Sequence, residues 1–376
     1  MQIPFHRTHT TEEEINAVTE AIRSGWLTMG PKTVEFEKKF KEFIGSKEAV
    51  SVNSATAALH LALKAVGLKK DDEVILPTNT FVATAEVVTY FDAKPVLCDI
   101  EETTHNIDIS KIEQLITENT KAIIPVHFAG QPCDMDEICQ IAEKYNLKVI
   151  EDAAHAIPSS YKGTKIGNLE NSDICCFSFY ATKTLSTGEG GMATTNNEKY
   201  AKNMRINRLH GISRDAWDRY TTKGAWYYEI VDNGCKYNTT DMNSALGLIQ
   251  LKKQNELKEK RALIASRYNN AFDKYDTITT PVIKDNRETS WHLYVIKINN
   301  RDEIIEQLKE NGIGCSVHFI PVHKHPYYKN KYGYKDQDYP IANSVFERSL
   351  SLPIFPDMTE DEINYVIENV IAQVNK

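Results

Sequence analysis

Ala49-Val50-Ser51-Val52-Asn53-Ser54-Ala55-Thr56-Ala57-Ala58-Leu59-His60-Leu61-Ala62-Leu63-Lys64-Ala65-Val66, followed at once by a polar break and then Glu73-Val74-Ile75-Leu76, decides the fold. The apolar run at 49–52 ends in small polar residues, apolar side chains recur at helical spacing through Val66, and a second apolar run follows at 73–76. A buried strand, a crossover helix and a second strand are the unit of a parallel sheet, because parallel neighbours need a long connection. The same rhythm extends outward. Strands are predicted at 95–98, 122–126, 148–150, 174–179 and 192–195, with helices between them at 81–90, 109–116 and 134–145. This part of the chain reads as an α/β three-layer large domain with a mostly parallel sheet.

After Asp241 a helical pattern runs to about Phe272, then a strand at 292–298, a helix at 302–311, a strand near 316–319 and a last helix from Thr359. These form a smaller C-terminal α+β domain. An amphipathic helix over 11–24 precedes everything, with Thr11 and Glu14 at capping-box spacing. The expected division is residues 1–240, an N-terminal segment with the large domain, and 241–376, an interdomain helix with the small one.

The chain has 376 residues, a formal net charge of −8 and 26% charged residues. That balance offers no basic footprint for nucleic acid or an anionic membrane. Without a long uncharged apolar run or a signal-like start, a cytoplasmic protein is expected. Seven scattered cysteines, two of them the apolar-run neighbours Cys175 and Cys176, read as buried thiols rather than a disulfide framework or a metal site.

Ligands of open α/β sheets bind beyond the carboxyl ends of the strands, so the residues after each strand carry the functional reading. Ser54 and Ala55 open a helix directly after a strand, which suits a phosphate and equally suits an ordinary helix cap. No Gly-rich run closing on Gly-Lys-Ser/Thr is present, which argues against a nucleotide hydrolase. Asp152 ends the run at 148–150 in Glu151-Asp152-Ala153-Ala154-His155, where a buried carboxylate needs a cation unless it merely caps a turn. Ser178 lies in Phe177-Ser178-Phe179, and Lys183 stands in Tyr180-Ala181-Thr182-Lys183-Thr184-Leu185-Ser186-Thr187-Gly188-Glu189-Gly190-Gly191. Most lysines are surface groups. A lone Lys among small and hydroxyl residues ahead of a Gly-rich turn instead fits a Schiff-base lysine in a shielded pocket.

Taken together, these segments resemble the DegT-type nucleotide-sugar aminotransferases, pyridoxal-phosphate (PLP) enzymes of fold type I. The resemblance begins at Ser24-Gly25-Trp26-Leu27-Thr28-Met29-Gly30-Pro31 and continues through Lys236-Tyr237-Asn238, Ala245-Leu246-Gly247-Leu248, Trp291-His292-Leu293, Val317-His318-Phe319 and Ser351-Leu352-Pro353. It implies Lys183 as Schiff-base lysine and proton shuttle, Asp152 as partner of the pyridine nitrogen, and Phe81 as the stacking ring. Ser54, Ala55 and Ser178 are implied at the phosphate and His155 at the phenolic oxygen. Asn238 is implied to reach the neighbouring subunit's site, making a homodimer with shared active sites.

Thr28 and Gly30 fall in the family's substrate loop, while His318, His323, Lys324 and His325 offer donors to a sugar diphosphate. The implied reaction moves an amino group from L-glutamate to a nucleotide-linked keto sugar, with C4 of a UDP- or dTDP-4-keto sugar favoured over C3, in surface-polysaccharide, lipid A or glycan biosynthesis. The likeness is greatest to the branch on UDP-4-keto sugars, including the 4-amino-4-deoxy-L-arabinose enzyme, through Arg214-Asp215-Ala216-Trp217-Asp218-Arg219 and residues 351–359. Two departures stand out: Thr239-Thr240 follows Asn238 where many members have an aromatic-Arg pair, and Phe81 stands where the lipid A enzymes have Trp. A PLP sugar dehydratase would carry His in place of Lys183, a regulatory relative would be expected to lose Lys183 or Asp152, and a nucleotide-binding module would hold no PLP.

Overall fold

Each predicted strand of the large domain forms one strand of a seven-stranded sheet in the computed structural model, which describes residues 1–213 and 227–375. The strands are β1 Glu48–Val52, β2 Glu73–Pro77, β3 Lys94–Cys98, β4 Thr120–Ile123, β5 Lys148–Asp152, β6 Ile174–Ser178 and β7 Gly191–Thr195. Their spatial order is β1-β7-β6-β5-β4-β2-β3. The pairings from β3 across to β6 are parallel, and β7 runs antiparallel to both of its neighbours.

Alternation along the strands makes the layers. On β6, Ile174 and Cys176 join one core with Ala58 and Leu61, whereas Cys175 and Phe177 join the other with Phe40 and Ile138. Each face is therefore apolar and covered by helices, the condition a parallel sheet requires. One face carries α3 (Ala55–Ala65) and α4 (Val82–Thr89). The other carries α2 (Pro31–Ile44) and α5 (Met135–Lys144). Residues 109–116 form two short 3-10 turns instead of the expected helix. Asp108 caps the first turn through Ser110 N–H, and the segment turns again at Ile112, which is fully buried.

A third core lies against the long helix Asp241–Phe272, whose Tyr268 and Phe272 pack on a three-stranded sheet of Ile278–Thr279, Tyr294–Ile298 and Ser349–Leu352. Ile3 belongs to this core and bridges Ile313, so the amino terminus is stitched to the carboxy-terminal core. The capping box predicted at Thr11 and Glu14 is formed, and Thr359 and Glu362 form a second at the last helix. The strand predicted near 316–319 is reduced to a single bridge between Ser316 and Ser351. Beyond it, His318 Nδ1 still meets Ser351 Oγ (2.8 Å), but Phe319 N–H donates to Asn79 Oδ1 (3.2 Å), which carries the chain off the ladder toward the large sheet. All seven cysteines are free thiols, five of them buried. Among the described residues no helix is long and apolar enough to cross a membrane.

Candidate active site

The carboxyl ends of β5 and β6, the start of α3 and the turn before α4 surround a cavity of about 380 Å3. Ser54, Ala55, Phe81, Asp152, His155, Ser178, Lys183 and His318 all line it. Eight of the sequence-derived candidates thus meet at the place where the sheet topology puts a ligand.

Asp152 is the last residue of β5 and is 5% exposed. Its Oδ2 accepts from Thr84 Oγ1 (2.8 Å) and its Oδ1 from Ala154 N–H (3.1 Å). Both donors are neutral. Burial pushes its pKa up, against the pull of Thr84, Ala154 and the Lys183 charge. The preceding Glu151 points to the opposite face, where His127 Nε2 lies 2.8 Å from Oε2, as the two-residue period of a strand demands.

Lys183 follows β6 in the turn that begins at Tyr180, and its backbone N–H donates to the Tyr180 carbonyl (2.8 Å). Burial lowers the pKa of its amine to about 8, and the Asp152 charge acts the other way. Lys183 Nζ lies 3.4 Å from His292 Nε2. His292 is buried, its ring lies 4.3 Å from that of His155, and burial together with Lys183 keeps both imidazoles neutral. Ala129 N–H donates to His155 Nδ1 (3.2 Å), which leaves the ring proton on Nε2.

Phe81 is 58% exposed at the cavity mouth, 6.0 Å from the Phe319 ring, so it is not the core residue that an aromatic in an apolar run would ordinarily be. Ser54 does cap α3, accepting from Ala57 N–H (3.1 Å), and still lines the cavity with its hydroxyl proton unspent on that cap. The opposing backbone is close: a Cβ on Gly191 would lie 2.5 Å from the Ser54 carbonyl carbon and 2.7 Å from Ala55 N. Only glycine leaves the helix start uncrowded there.

The remaining candidates lie elsewhere. His323 is fully buried, with Nδ1 2.7 Å from Thr78 Oγ1 and Nε2 3.0 Å from Asn343 Oδ1. Both ring nitrogens are committed inside the protein, which corrects the expectation that it meets a diphosphate. Lys324 pairs with Asp336 (3.5 Å) and His325 precedes the helix Pro326–Tyr332; neither lines the cavity. Thr28, Gly30 and Asn238 do not line their own chain's cavity either. They gather at the start of the helix Asp241–Phe272, where Asp241 N–H donates to the Thr28 carbonyl (3.1 Å) and Gly30 N–H donates to Asp241 Oδ1 (2.7 Å). The motif at 214–219 lies outside the described residues.

Sequence reasoning missed His292, Phe319, Phe5, His6 and Thr84. His292 and Phe319 occur in segments that carry the family resemblance, which was the available signal. Phe5 and His6 line the cavity because Ile3 is tied to Ile313 and Thr8 Oγ1 donates to the Ala181 carbonyl (2.9 Å); nothing local announces this.

The DegT/DnrJ/EryC1/StrS aminotransferase family model matches residues 8–371, and the chain belongs to that family, whose cofactor is pyridoxal phosphate. The chain is 48% identical over 375 residues to the spore coat polysaccharide biosynthesis protein SpsC of Bacillus subtilis, covering 98% of this chain and 96% of SpsC. Spr1654 of Streptococcus pneumoniae, described as a sugar aminotransferase and solved in its PMP form, is 35% identical with a TM-score of 0.94, covering 100% of this chain and 99% of that one. PseC of Helicobacter pylori, an aminotransferase in pseudaminic acid biosynthesis, is 29% identical with a TM-score of 0.92 over 100% of both chains.

Proposed function

We propose that this protein transfers an amino group from L-glutamate to a nucleotide-linked keto sugar, with C4 of a UDP- or dTDP-4-keto sugar as the acceptor, in cytoplasmic synthesis of a surface polysaccharide. The observation that carries the reading is the pairing of a buried Asp152, whose hydrogen-bond donors are neutral, with a half-buried, readily deprotonated Lys183 across one cavity. PLP fits these residues. Its protonated pyridine nitrogen supplies the cation that Asp152 lacks, and Ser54, Ser178 and the first N–H groups of α3 suit its phosphate. Phe81 is placed to cover one ring face, and the Nε2 proton of His155 is free for the phenolic oxygen. When bound, PLP supplies an electron sink that makes a proton at the carbon next to the reacting nitrogen labile.

Lys183 does the remaining work. Its Nζ would hold the cofactor, and as a free amine that same Nζ would be the base that takes and returns the proton at the carbon next to the reacting nitrogen, for amino donor and keto sugar alike. Lys183 and Asp152 together weigh against the dehydratase and regulatory alternatives. Thr28 is exposed, Asn238 is half-buried and neither lines its own cavity, which suits residues lent to a partner's site in a homodimer, with the buried Gly30 fixing the loop that carries Thr28.

The reading toward 4-keto sugars rests on family likeness. Within residues 351–359, Ser351 bonds His318, Phe355 is buried and Thr359 caps a helix, while Ile354 reaches the cavity wall, so that motif builds the frame more than it reads a sugar. The test is spectroscopic and then chemical. The purified protein is expected to show a PLP absorbance band that glutamate converts to the PMP form, and UDP- and dTDP-linked keto sugars are then expected to restore it, with NMR of the product locating the new C–N bond. No band after PLP is supplied overturns the proposal. Restoration with a bond at C3 instead overturns the regiochemistry alone.

A further inference from the structure

Thr84 sits in α4 with no exposed surface, four residues after the equally buried Thr80. Its Oγ1 lies 2.8 Å from Asp152 Oδ2 and 2.7 Å from Thr80 Oγ1. A hydroxyl has one proton, and an ionised carboxylate can only accept; Thr84 therefore donates to Asp152 and Thr80 donates to Thr84. Between the two threonines stands Phe81, which precedes α4 with φ −65° and ψ 144° and makes no side-chain cap. The relay thus ties the turn carrying Phe81 to the carboxylate at the end of β5.

We infer that Thr84 is a positioning residue: its hydroxyl, oriented by Thr80, holds the Asp152 carboxylate charged and in register with the turn that presents Phe81. This rests on the PLP reading above, because it is a bound pyridine ring that needs a wall and a carboxylate at fixed relative positions. Asp152 is a buried acid whose only side-chain donor among the described residues is Thr84, so its charged form depends on that bond more than an exposed carboxylate would. The other titratable groups coupled to it are Lys183, His127 and the Cys175 and Cys176 thiols of β6, while the neighbouring Glu151 faces the other way toward His127. Burial raises both thiols far above their usual range, so they stay neutral.

The sign follows directly. A donor to the charged form lowers a carboxyl pKa, so removing the hydroxyl raises it. The test uses the full-length protein labelled with carboxyl-13C aspartate, freed of PLP, with the Asp152 resonance assigned by its loss in Asp152→Asn. Thr84→Val, which keeps the shape and removes the hydroxyl, is expected to move the Asp152 midpoint up by about one pH unit, and Thr84→Ser to leave it in place. After loading, the Val variant is expected to retain PLP about tenfold more weakly than the Ser variant. Coincident midpoints for wild type and Thr84→Val overturn the inference whether or not PLP binds. Failure of the wild type to take up PLP would instead strike the functional reading and leave the titration to decide on Thr84.

Discussion

Lys183→Ala is expected to lower transamination by about four orders of magnitude while the protein still folds and takes up PLP reversibly. Two functions are lost together: the covalent hold on the cofactor and the base that moves the proton. Folding should survive, because the Lys183 side chain makes one long contact, to His292 Nε2 at 3.4 Å, and lines a cavity rather than filling a core. Single-turnover conversion with glutamate, followed by absorbance, checks the loss, and circular dichroism checks the fold. The wild-type amine should also betray its burial. Only the neutral amine attacks PLP, and burial brings its pKa from 10.5 to about 8. The rate of PLP capture by cofactor-free protein should therefore climb with pH and level off above about pH 8. A climb continuing toward pH 10.5 would mean that the amine titrates like an exposed lysine.

The residues that carry this chemistry were legible because a parallel sheet turns sequence position into spatial position. Asp152 ends one buried strand and Lys183 follows another, and β5 and β6 are parallel neighbours, so their carboxyl ends must lie side by side. Ser54 and Phe81 enter in the same way from the turns after β1 and β2. Where the site is built by chain return, local pattern carried no such information. His292 comes just before the strand Tyr294–Ile298 and Phe319 just after the Ser316–Ser351 bridge, and Phe5 and His6 are held in place by the bridge at Ile3 and the Thr8–Ala181 bond. Thr84 was invisible for another reason: within an apolar helical run a threonine reads as one more small residue, and its proton matters only once β5 lies against α4. The row His323-Lys324-His325 misled in the opposite sense. Adjacent polar residues look like one donor cluster, yet the 3-10 turn there sends His323 into the core and leaves Lys324 toward Asp336.

Asp152→Asn should separate function from stability in opposite directions. The amide keeps the volume and can still accept from Thr84, but it carries no charge for a pyridine nitrogen. Removing one member of a buried charge pair costs about 3–5 kcal/mol, which is two to three and a half orders of magnitude in turnover and a comparable weakening of PLP retention. Without PLP the sign reverses. Burial raises the Asp152 pKa, meaning that the folded state disfavours the carboxylate relative to the unfolded chain; that penalty sets in above the unfolded carboxyl pKa and grows as the pH rises toward the folded one. The variant lacks it, so the cofactor-free Asn protein should melt at or above the cofactor-free wild type at pH 7, and the difference should shrink as the pH is lowered toward 4. Loaded with PLP, the wild type should gain and the variant should not. Thermal melts with and without PLP, at pH 7 and pH 4.5, read all of these at once. If the cofactor-free variant melts well below wild type at pH 7, Asp152 is holding the fold rather than the cofactor, and the residue that faces the pyridine nitrogen must be sought elsewhere in the cavity.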